Sequence, residues 1–303
     1  MTLLLSRRRF GLLSAALGAT ALPSLSWAAS PVYANMHLLM EPTELRRRPT
    51  FSGASKSDDD SDAILLVDVR PRAAFDAGHI AGAHHLDPNA VVAGHSPVDG
   101  SLQALPAIEA LLSALGISAD RRVVLYDDQG GFHAARMFWL LEYLGHRKVS
   151  LLNGGLTAWM ALDGTLTQDT HDPAAASFQA APSPRRHATA DYILAHRNDE
   201  NTLVVDVRPA KVHAAGHIPW AINVPWSQNR AEDMRFKSAE DLMAHFKAQG
   251  ITPQHNVVLH CQTGLASAHS YVALRLLGFP RVRVYHRSWA EWGSDPSLPR
   301  VVS

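Results

Sequence analysis

The residues best suited to covalent chemistry lie in the stretch VVLHCQTGLASAH, residues 257–269, which contains Cys261, the one cysteine of the 303-residue chain. An apolar run ends at His260, Cys261 follows directly, and Gly264 precedes a helical pattern. The thiolate is the reactive form of cysteine, and a free thiol with a pKa of about 8.5 is mostly protonated at neutral pH. A turn that directs backbone N–H groups at the sulfur, at the start of a helix, stabilises the anion. Glycine folds tightly in such a turn because it adopts positive φ at little cost.

Other features of this stretch limit the roles of its residues. Successive side chains on a strand point to opposite faces, so His260 is expected to face away from Cys261 and not to act as its base. Thr263 can donate a hydrogen bond to a substrate, although threonine is also common in turns. A lone buried cysteine is often a small apolar core residue, but its position between a strand and a helix favours a catalytic thiol.

The chain contains an internal repeat. Three blocks recur in the same order at offsets of 133 to 138 residues: 64–87 with 202–225, 123–131 with 257–265, and 148–159 with 281–292. They indicate a duplicated domain of about 120–130 residues. Asp127 occupies the position of Cys261 in the first copy.

Short β-branched runs alternate with helical patterns in each copy. AILLVDV, AHHLD, RVVLYDD and KVSLLNG are typical of buried strands, and SLQALPAIEALLSALG and HAARMFWLLEYLG of helices. The alternation predicts an α/β fold of two tandem domains, each a parallel sheet with helices on both faces. Ligands of such sheets bind beyond the carboxyl ends of the strands, where the loop after His260 would lie. We expect an N-terminal domain over 37–164, a linker rich in Pro, Ala and Ser over 165–188, and a C-terminal domain over 189–303.

The first residues have the layout of an export signal. The pair Arg7-Arg8 precedes a short apolar run, and Ala28 ends a motif of the kind that a signal peptidase cuts. The run has about 12 residues, whereas a membrane-spanning helix needs about 20. We therefore expect a twin-arginine-type signal peptide over 1–28 and a periplasmic mature protein without stable membrane association.

The composition excludes several classes of function. Lys and Arg total 28 and Asp and Glu total 28, so the neutral balance does not favour a nucleic-acid partner. The 17 histidines do not form a His-Glu-x-x-His motif, and no Cys-x-x-Cys spacing or glycine-rich nucleotide loop is present. Neither a metal nor a cofactor is expected.

The paired DVR and GHI segments, the cysteine after the VVLH strand and SWAEWG at residues 288–293 together resemble the tandem-domain rhodanese sulfurtransferases. The resemblance implies a thiosulfate or 3-mercaptopyruvate sulfurtransferase that passes sulfur from a small-molecule donor to cyanide or a thiol. Cys261 would attack the outer sulfur of the donor and carry it as a persulfide. An aspartate cannot carry sulfur, so Asp127 implies a catalytically silent N-terminal domain.

The resemblance also implies a substrate site around the cysteine loop. Its predicted members are Gln262, Thr263, Gly264, Leu265, Ala266 and Ser267, with Arg208 and Lys211 adding positive charge. Asp206 and Arg208 recur as Asp68 and Arg70 in the copy without a thiol, which favours a structural pair.

The loop departs from both donor types of the family. Thiosulfate-type loops have a cation after the cysteine and mercaptopyruvate-type loops a glycine, whereas this chain has Gln262. The substrate-binding arginine of the family falls on Val212, beside Lys211. A polar residue after Cys261 suits a small oxyanion, so thiosulfate is the predicted donor. The Thr263-Gly264 pair keeps mercaptopyruvate as the alternative.

Two further alternatives differ in class. A protein phosphatase on this fold needs an arginine six residues after the cysteine, where the chain has Ser267. A non-catalytic periplasmic binding module is compatible with the fold, but Cys261 and Gly264 count against it.

Overall fold

Strands distant in sequence form the sheet of the first domain. The computed structural model describes residues 32–48, 64–94 and 98–302, so the predicted signal peptide lies outside the described residues. The strands are β1 (Leu39–Met40), β2 (Ile64–Asp68), β3 (His79–Ile80), β4 (His84–His85), β5 (Arg122–Tyr126), β6 (Val149–Leu152) and β7 (Leu166–Thr167). The helices are α1 (Pro42–Arg46), α2 (Arg72–Ala77), α3 (Leu105–Ala114), α4 (Ala134–Tyr143) and α5 (Gly155–Met160). The sheet has the order β1-β6-β5-β2-β4, and its paired strands are parallel.

The second domain repeats this arrangement. Its strands are β8 (Thr202–Asp206), β9 (Gly216–His217), β10 (Ile222–Asn223), β11 (Asn256–His260), β12 (Val282–Val284) and β13 (Val301–Val302). Its helices are α6 (Ala190–Ala195), α7 (Ala210–Ala215), α8 (Ala239–Ala248), α9 (Leu265–Leu276) and α10 (Ser288–Trp292). The parallel sheet has the order β10-β8-β11-β12. Short 3₁₀ helices cover Met36–Leu38 and Trp226–Asn229.

Both faces of the sheet are buried, as the continuous apolar runs predict. In β2, Leu65 and Val67 belong to one buried cluster and Leu66 to another, so successive side chains enter cores on opposite faces. The predicted α/β fold of two domains with parallel sheets flanked by helices is therefore confirmed. Within the second sheet, His260 pairs in register with Asp206, which brings the ends of β8 and β11 to the same edge.

The segment predicted as a linker packs along the first domain. Leu166 pairs antiparallel with Ile80, the N–H group of Ala176 donates to the carbonyl of Ser113 at 2.9 Å, and Phe178 is buried. Burial of Phe178 in the main core cluster explains why this segment follows the domain surface.

Helices α4 and α9 join the two domains. Nearly every side chain of both helices is buried, and residues from both belong to one core cluster that also includes strands of each sheet. At the far end, Glu142 of α4 accepts hydrogen bonds from Tyr271 (2.5 Å) and Arg275 (2.9 Å) of α9. The described part of the chain belongs to a single compact unit. None of its helices is long and apolar enough to span a bilayer.

Candidate functional site

Cys261 follows the end of β11, a strand that pairs with β8 on one side and β12 on the other. Its N–H group donates to the Ser288 hydroxyl oxygen at 3.0 Å, and its carbonyl accepts from the N–H group of Trp289 at 3.1 Å. The next carbonyl, of Gln262, accepts from the N–H group of Ala290 at 3.0 Å. The start of α10 therefore holds the backbone of the cysteine loop, which is the structural role of the SWAEWG segment.

Ser288 adopts an unusual conformation to make these contacts. Its φ of 51° lies in the left-handed region, which non-glycine residues seldom occupy. Its hydroxyl donates to the carbonyl of Tyr285 at 2.7 Å while accepting from Cys261. Such strain persists where the surroundings fix it and is frequent at functional sites.

Gly264 gives the loop its tight turn. It has a φ of +83°, and a Cβ at this position would lie 2.5 Å from the carbonyl oxygen of His286. Helix α9 starts immediately afterwards at Leu265, as the helical pattern after Gly264 predicts. The first N–H groups of a helix have no intrahelical acceptor, so this turn places free donors beside the end of β11.

The N-terminal copy shows what such a loop binds. The buried carboxylate of Asp127, at the position equivalent to Cys261, accepts four backbone hydrogen bonds. The donors are the N–H groups of Gln129 (2.9 Å), Gly131 (2.8 Å), His133 (2.7 Å) and Ala134 (3.0 Å). A loop of this type therefore forms a cradle of N–H groups around a negative charge at its first residue.

The repeat identifies the corresponding donors of the second domain. At an offset of 134 they are the N–H groups of Thr263, Leu265, Ser267 and Ala268. Cys261 is 2% exposed and its thiol is free. The hydroxyl of Ser267 is buried and has no hydrogen-bond partner among the described residues, so it is available to an additional acceptor.

Arg136, on α4 of the N-terminal domain, reaches the cysteine loop. Its Nη1 donates to the carbonyl of Thr263 at 3.3 Å and its Nη2 to the carbonyl of Gly100 at 3.0 Å. Arg136 is 5% exposed, and no carboxylate in the described ranges pairs with it. Burial lowers the pKa of this guanidinium, whereas a negative charge at Cys261 raises it. A buried cation without a carboxylate is stabilised by an anion at Cys261.

Sequence reasoning missed Arg136, although one signal was present. The repeat pairs Arg136 with Ser270, so a single copy carries a cation within an otherwise apolar helical run. A charged residue at a buried helix position needs a partner, but its partner loop lies 127 residues away in sequence.

His260 lies in the core and does not act on the thiol through a short contact. It is fully buried, and its Nδ1 lies 3.4 Å from the carbonyl oxygen of Cys261. Its Nε2 lies 3.9 Å from a carboxylate oxygen of Asp206. Burial lowers the pKa of His260 to about 4, so the ring is neutral at neutral pH.

Arg208, predicted to add positive charge to the substrate site, is bound to a carboxylate within the protein. Its Nε and Nη2 bind the carboxylate of Asp206 at 2.6 to 3.0 Å, and Nη2 also donates to the carbonyl of Gly216. The guanidinium stacks over Trp289 at 4.7 Å. Arg70 makes the same contacts with Asp68 and Gly78. The same arginine–aspartate geometry occurs in the domain that has no thiol. We infer that it connects the end of the strand to the helix that follows.

The remaining residues of the predicted substrate site differ in their exposure to solvent. Gln262 is exposed on the loop, Thr263, Leu265 and Ala266 are half-buried, and Gly264 and Ser267 are buried. Lys211 and Val212 are exposed on the short helix α7. The loop residues 262–267 thus lie together beside Cys261, whereas Lys211 forms no hydrogen bond to them among the described residues.

Comparison with known proteins agrees with this architecture. A model of the rhodanese-like domain matches residues 54–162 and again 189–295. A thiosulfate sulfurtransferase of Azotobacter vinelandii is 33% identical over 275 residues, covering 88% of this chain and 98% of its own length. A 3-mercaptopyruvate sulfurtransferase of Escherichia coli is 30% identical over 233 residues, covering 73% of this chain and 83% of its own. The fold also resembles an anaerobic ergothioneine biosynthesis enzyme from Chlorobium limicola, with a TM-score of 0.81 and 22% identity over 89% of this chain and 71% of that one.

Proposed function

Because the chain belongs to the rhodanese family and is a sulfurtransferase with two rhodanese domains, we propose that it transfers the sulfane sulfur of thiosulfate to cyanide or a thiol through a persulfide on Cys261. The observation that carries this proposal is the set of four N–H groups that bind the carboxylate of Asp127. The same loop type with a thiol at its first residue is suited to hold a thiolate or a persulfide anion.

The proposed reaction has two displacement steps. The Cys261 thiolate attacks the outer sulfur of thiosulfate, a sulfur–sulfur bond forms, and the bond within thiosulfate breaks so that sulfite leaves with its electron pair. Cyanide then attacks the terminal sulfur of the persulfide, thiocyanate is released, and the thiolate is regenerated. Each step starts from and ends in an anion at the loop. N–H donors that are already oriented towards this position therefore lower the activation free energy of both steps.

Residues around the loop support these steps in different ways. The N–H groups at the start of α9 would stabilise the thiolate and then the persulfide. The buried hydroxyl of Ser267 supplies a further donor, and the guanidinium of Arg136 supplies positive charge from the other domain. The exposed side chain of Gln262 would contact the donor as it approaches.

A 3-mercaptopyruvate sulfurtransferase is the alternative. The Thr263-Gly264 pair and the similarity to the Escherichia coli enzyme favour it. Thiosulfate is preferred because a polar amide at Gln262 can hydrogen-bond a small oxyanion, and because the relative from Azotobacter vinelandii matches over more of the chain.

The persulfide is tested by mass spectrometry. The mature protein is incubated with thiosulfate or with 3-mercaptopyruvate, and a peptide containing Cys261 should gain the mass of one sulfur atom, which cyanide then removes. Cys261→Ser should abolish sulfur transfer and retain the fold, since a hydroxyl cannot form a persulfide. Turnover of that variant within about tenfold of the parent would refute the mechanism.

We also propose that the chain is exported to the periplasm through the twin-arginine pathway, on the basis of its first 28 residues. Replacement of both Arg7 and Arg8 by lysine should retain the protein in the cytoplasm, as measured by cell fractionation. Unchanged export of that variant would contradict the proposed route.

A further inference from the structure

A cavity of about 560 Å³ lies at the end of α4 and α9 remote from the cysteine loop. Four segments line it: the C-terminal end of α4 with the turn that follows, the end of the segment predicted as a linker, the last turn of α9 with the residues beyond, and His37 of the first 3₁₀ helix. Arg275 is ten residues after Leu265 on α9, which corresponds to about 15 Å of helix. The cavity is therefore separate from the site at Cys261.

The charges around this cavity do not balance. Four arginines line it against one carboxylate, that of Glu142: they are Arg147, Arg185, Arg186 and Arg275. Glu142 already accepts hydrogen bonds from Arg275 at 2.9 and 3.1 Å and from the Tyr271 hydroxyl at 2.5 Å. Its acceptor oxygens are thus committed within the protein.

The other three arginines have no carboxylate bound to them in the described parts of the chain. Arg147 and Arg185 are exposed and form no ion pair there. The Nη1 atom of Arg186 is buried without a hydrogen-bond partner. Cations that lie close together repel one another. An anion bound between these arginines would reduce that repulsion and would accept hydrogen bonds from their unpaired N–H groups.

We propose that this cavity binds a small molecule carrying a phosphate or sulfate group. Guanidinium groups present paired N–H donors that match the oxygen spacing of tetrahedral oxyanions, and the hydroxyl of Ser183 adds another donor to the lining. The volume is within the range of small-molecule sites, about 300–1,000 Å³, so it accommodates more than one oxyanion group. The occupant would contact both domains and the segment between them.

This placement predicts a stabilising ligand. A ligand that binds the folded state and not the unfolded chain raises the thermal midpoint with increasing concentration. The mature protein is titrated with pyrophosphate, inorganic phosphate and sulfate, each at an ionic strength matched with sodium chloride, and affinity is measured by calorimetry. We expect saturable binding and a rise in Tm, with pyrophosphate the tightest because it carries two oxyanion groups.

The double variant Arg147→Gln/Arg185→Gln tests the location. Both side chains are exposed, so the unliganded Tm should stay near that of the parent, and Kd for pyrophosphate should rise roughly tenfold or more. The matched control Arg197→Gln/Lys247→Gln removes two exposed cations elsewhere and should bind as the parent does. Equal binding by the parent and by Arg147→Gln/Arg185→Gln would overturn the proposal, as would stabilisation no greater than that of chloride. Equally tight binding of citrate would overturn the assignment to phosphate or sulfate.

Discussion

Arg136 of the N-terminal domain donates a hydrogen bond from Nη1 to the carbonyl oxygen of Thr263 in the C-terminal domain, across 3.3 Å and 127 residues of sequence. The domain that lacks a thiol thus supplies a buried cation to the loop of the domain that has one. A second contact supports the same loop, since Gly100, with a φ of +83°, is so close to Thr263 that a Cβ there would lie 2.5 Å from its carbonyl oxygen. These contacts connect the N-terminal domain directly to the cysteine loop.

Arg136→Met should reduce sulfur transfer and the reactivity of the thiol together. The variant loses one charge and the hydrogen bonds to Thr263 and Gly100. A charged hydrogen bond contributes about 1.5–3 kcal/mol, so kcat/KM for thiosulfate should fall roughly tenfold to a hundredfold. The alkylation rate of Cys261 by iodoacetamide at neutral pH should also fall, because the nearby positive charge that would stabilise an anion at Cys261 is removed. Arg136→Lys keeps the charge and should recover part of both losses. If the alkylation rate were unchanged in Arg136→Met, the role of Arg136 would be structural only.

Asp127→Ala should destabilise the protein without abolishing catalysis. The substitution leaves four backbone N–H groups without the carboxylate that now accepts from them. Each buried unsatisfied donor costs about 1–3 kcal/mol, so the free energy of unfolding should fall by about 3 kcal/mol or more in urea titrations. Turnover per folded molecule should persist because Asp127 carries no sulfur. The neighbouring exposed Asp128 offers a control, and Asp128→Ala should change stability by at most about 0.5 kcal/mol.

The free energy of unfolding should decrease as the pH falls from about 6.5 towards 4. Burial lowers the pKa of seven histidines in the described residues, and the largest shifts bring His187 and His260 to about 4, His269 to about 3 and His286 to about 2. A histidine of the unfolded chain has a pKa of about 6.5, so below this pH the unfolded state binds protons that the folded state does not. The contribution of these histidines to the free energy of unfolding is fully present above about pH 6.5 and is lost as the pH falls. Urea titrations at several pH values would measure this loss.

A variant that lacks one of these histidines distinguishes the titration of buried histidines from other causes of destabilisation at acid pH. His269 contacts the carbonyl of Gly130 through Nε2 at 3.1 Å, so His269→Asn should be less stable at neutral pH yet show a smaller pH slope. His171→Asn, at an exposed position, should keep the slope of the parent. An equal slope in His269→Asn would contradict the assignment.

Gln262→Arg should improve the use of thiosulfate. Thiosulfate is a dianion, and the exposed Gln262 offers only a neutral amide, while Arg208 is already bound to Asp206. A guanidinium at this position should raise kcat/KM for thiosulfate by roughly tenfold or more. Gln262→Met is the uncharged control and should show no gain. Steady-state assays that reveal a hundredfold preference of the parent for mercaptopyruvate, or no response to the arginine, would reverse the donor assignment.

Local patterns made much of the fold predictable from the sequence. The strands β2, β5, β8 and β11 lie within the β-branched runs, because a parallel strand buried on both faces requires a continuous apolar run. Helix α4 lies within the predicted segment HAARMFWLLEYLG, which ends at Gly145. The docking of the segment 165–188 was missed, because it depends on a groove formed by distant residues.

The sequence by itself determined the duplicated α/β architecture and the position of Cys261 between β11 and α9, since both depend on the order and type of neighbouring residues. Only the tertiary structure decided which charges reach the loop. It brings Arg136 to Thr263 from the other domain and turns Arg208 towards Asp206. A side chain's partner is set by packing between elements far apart in the chain, and burial then determines whether its charge is neutralised or left available.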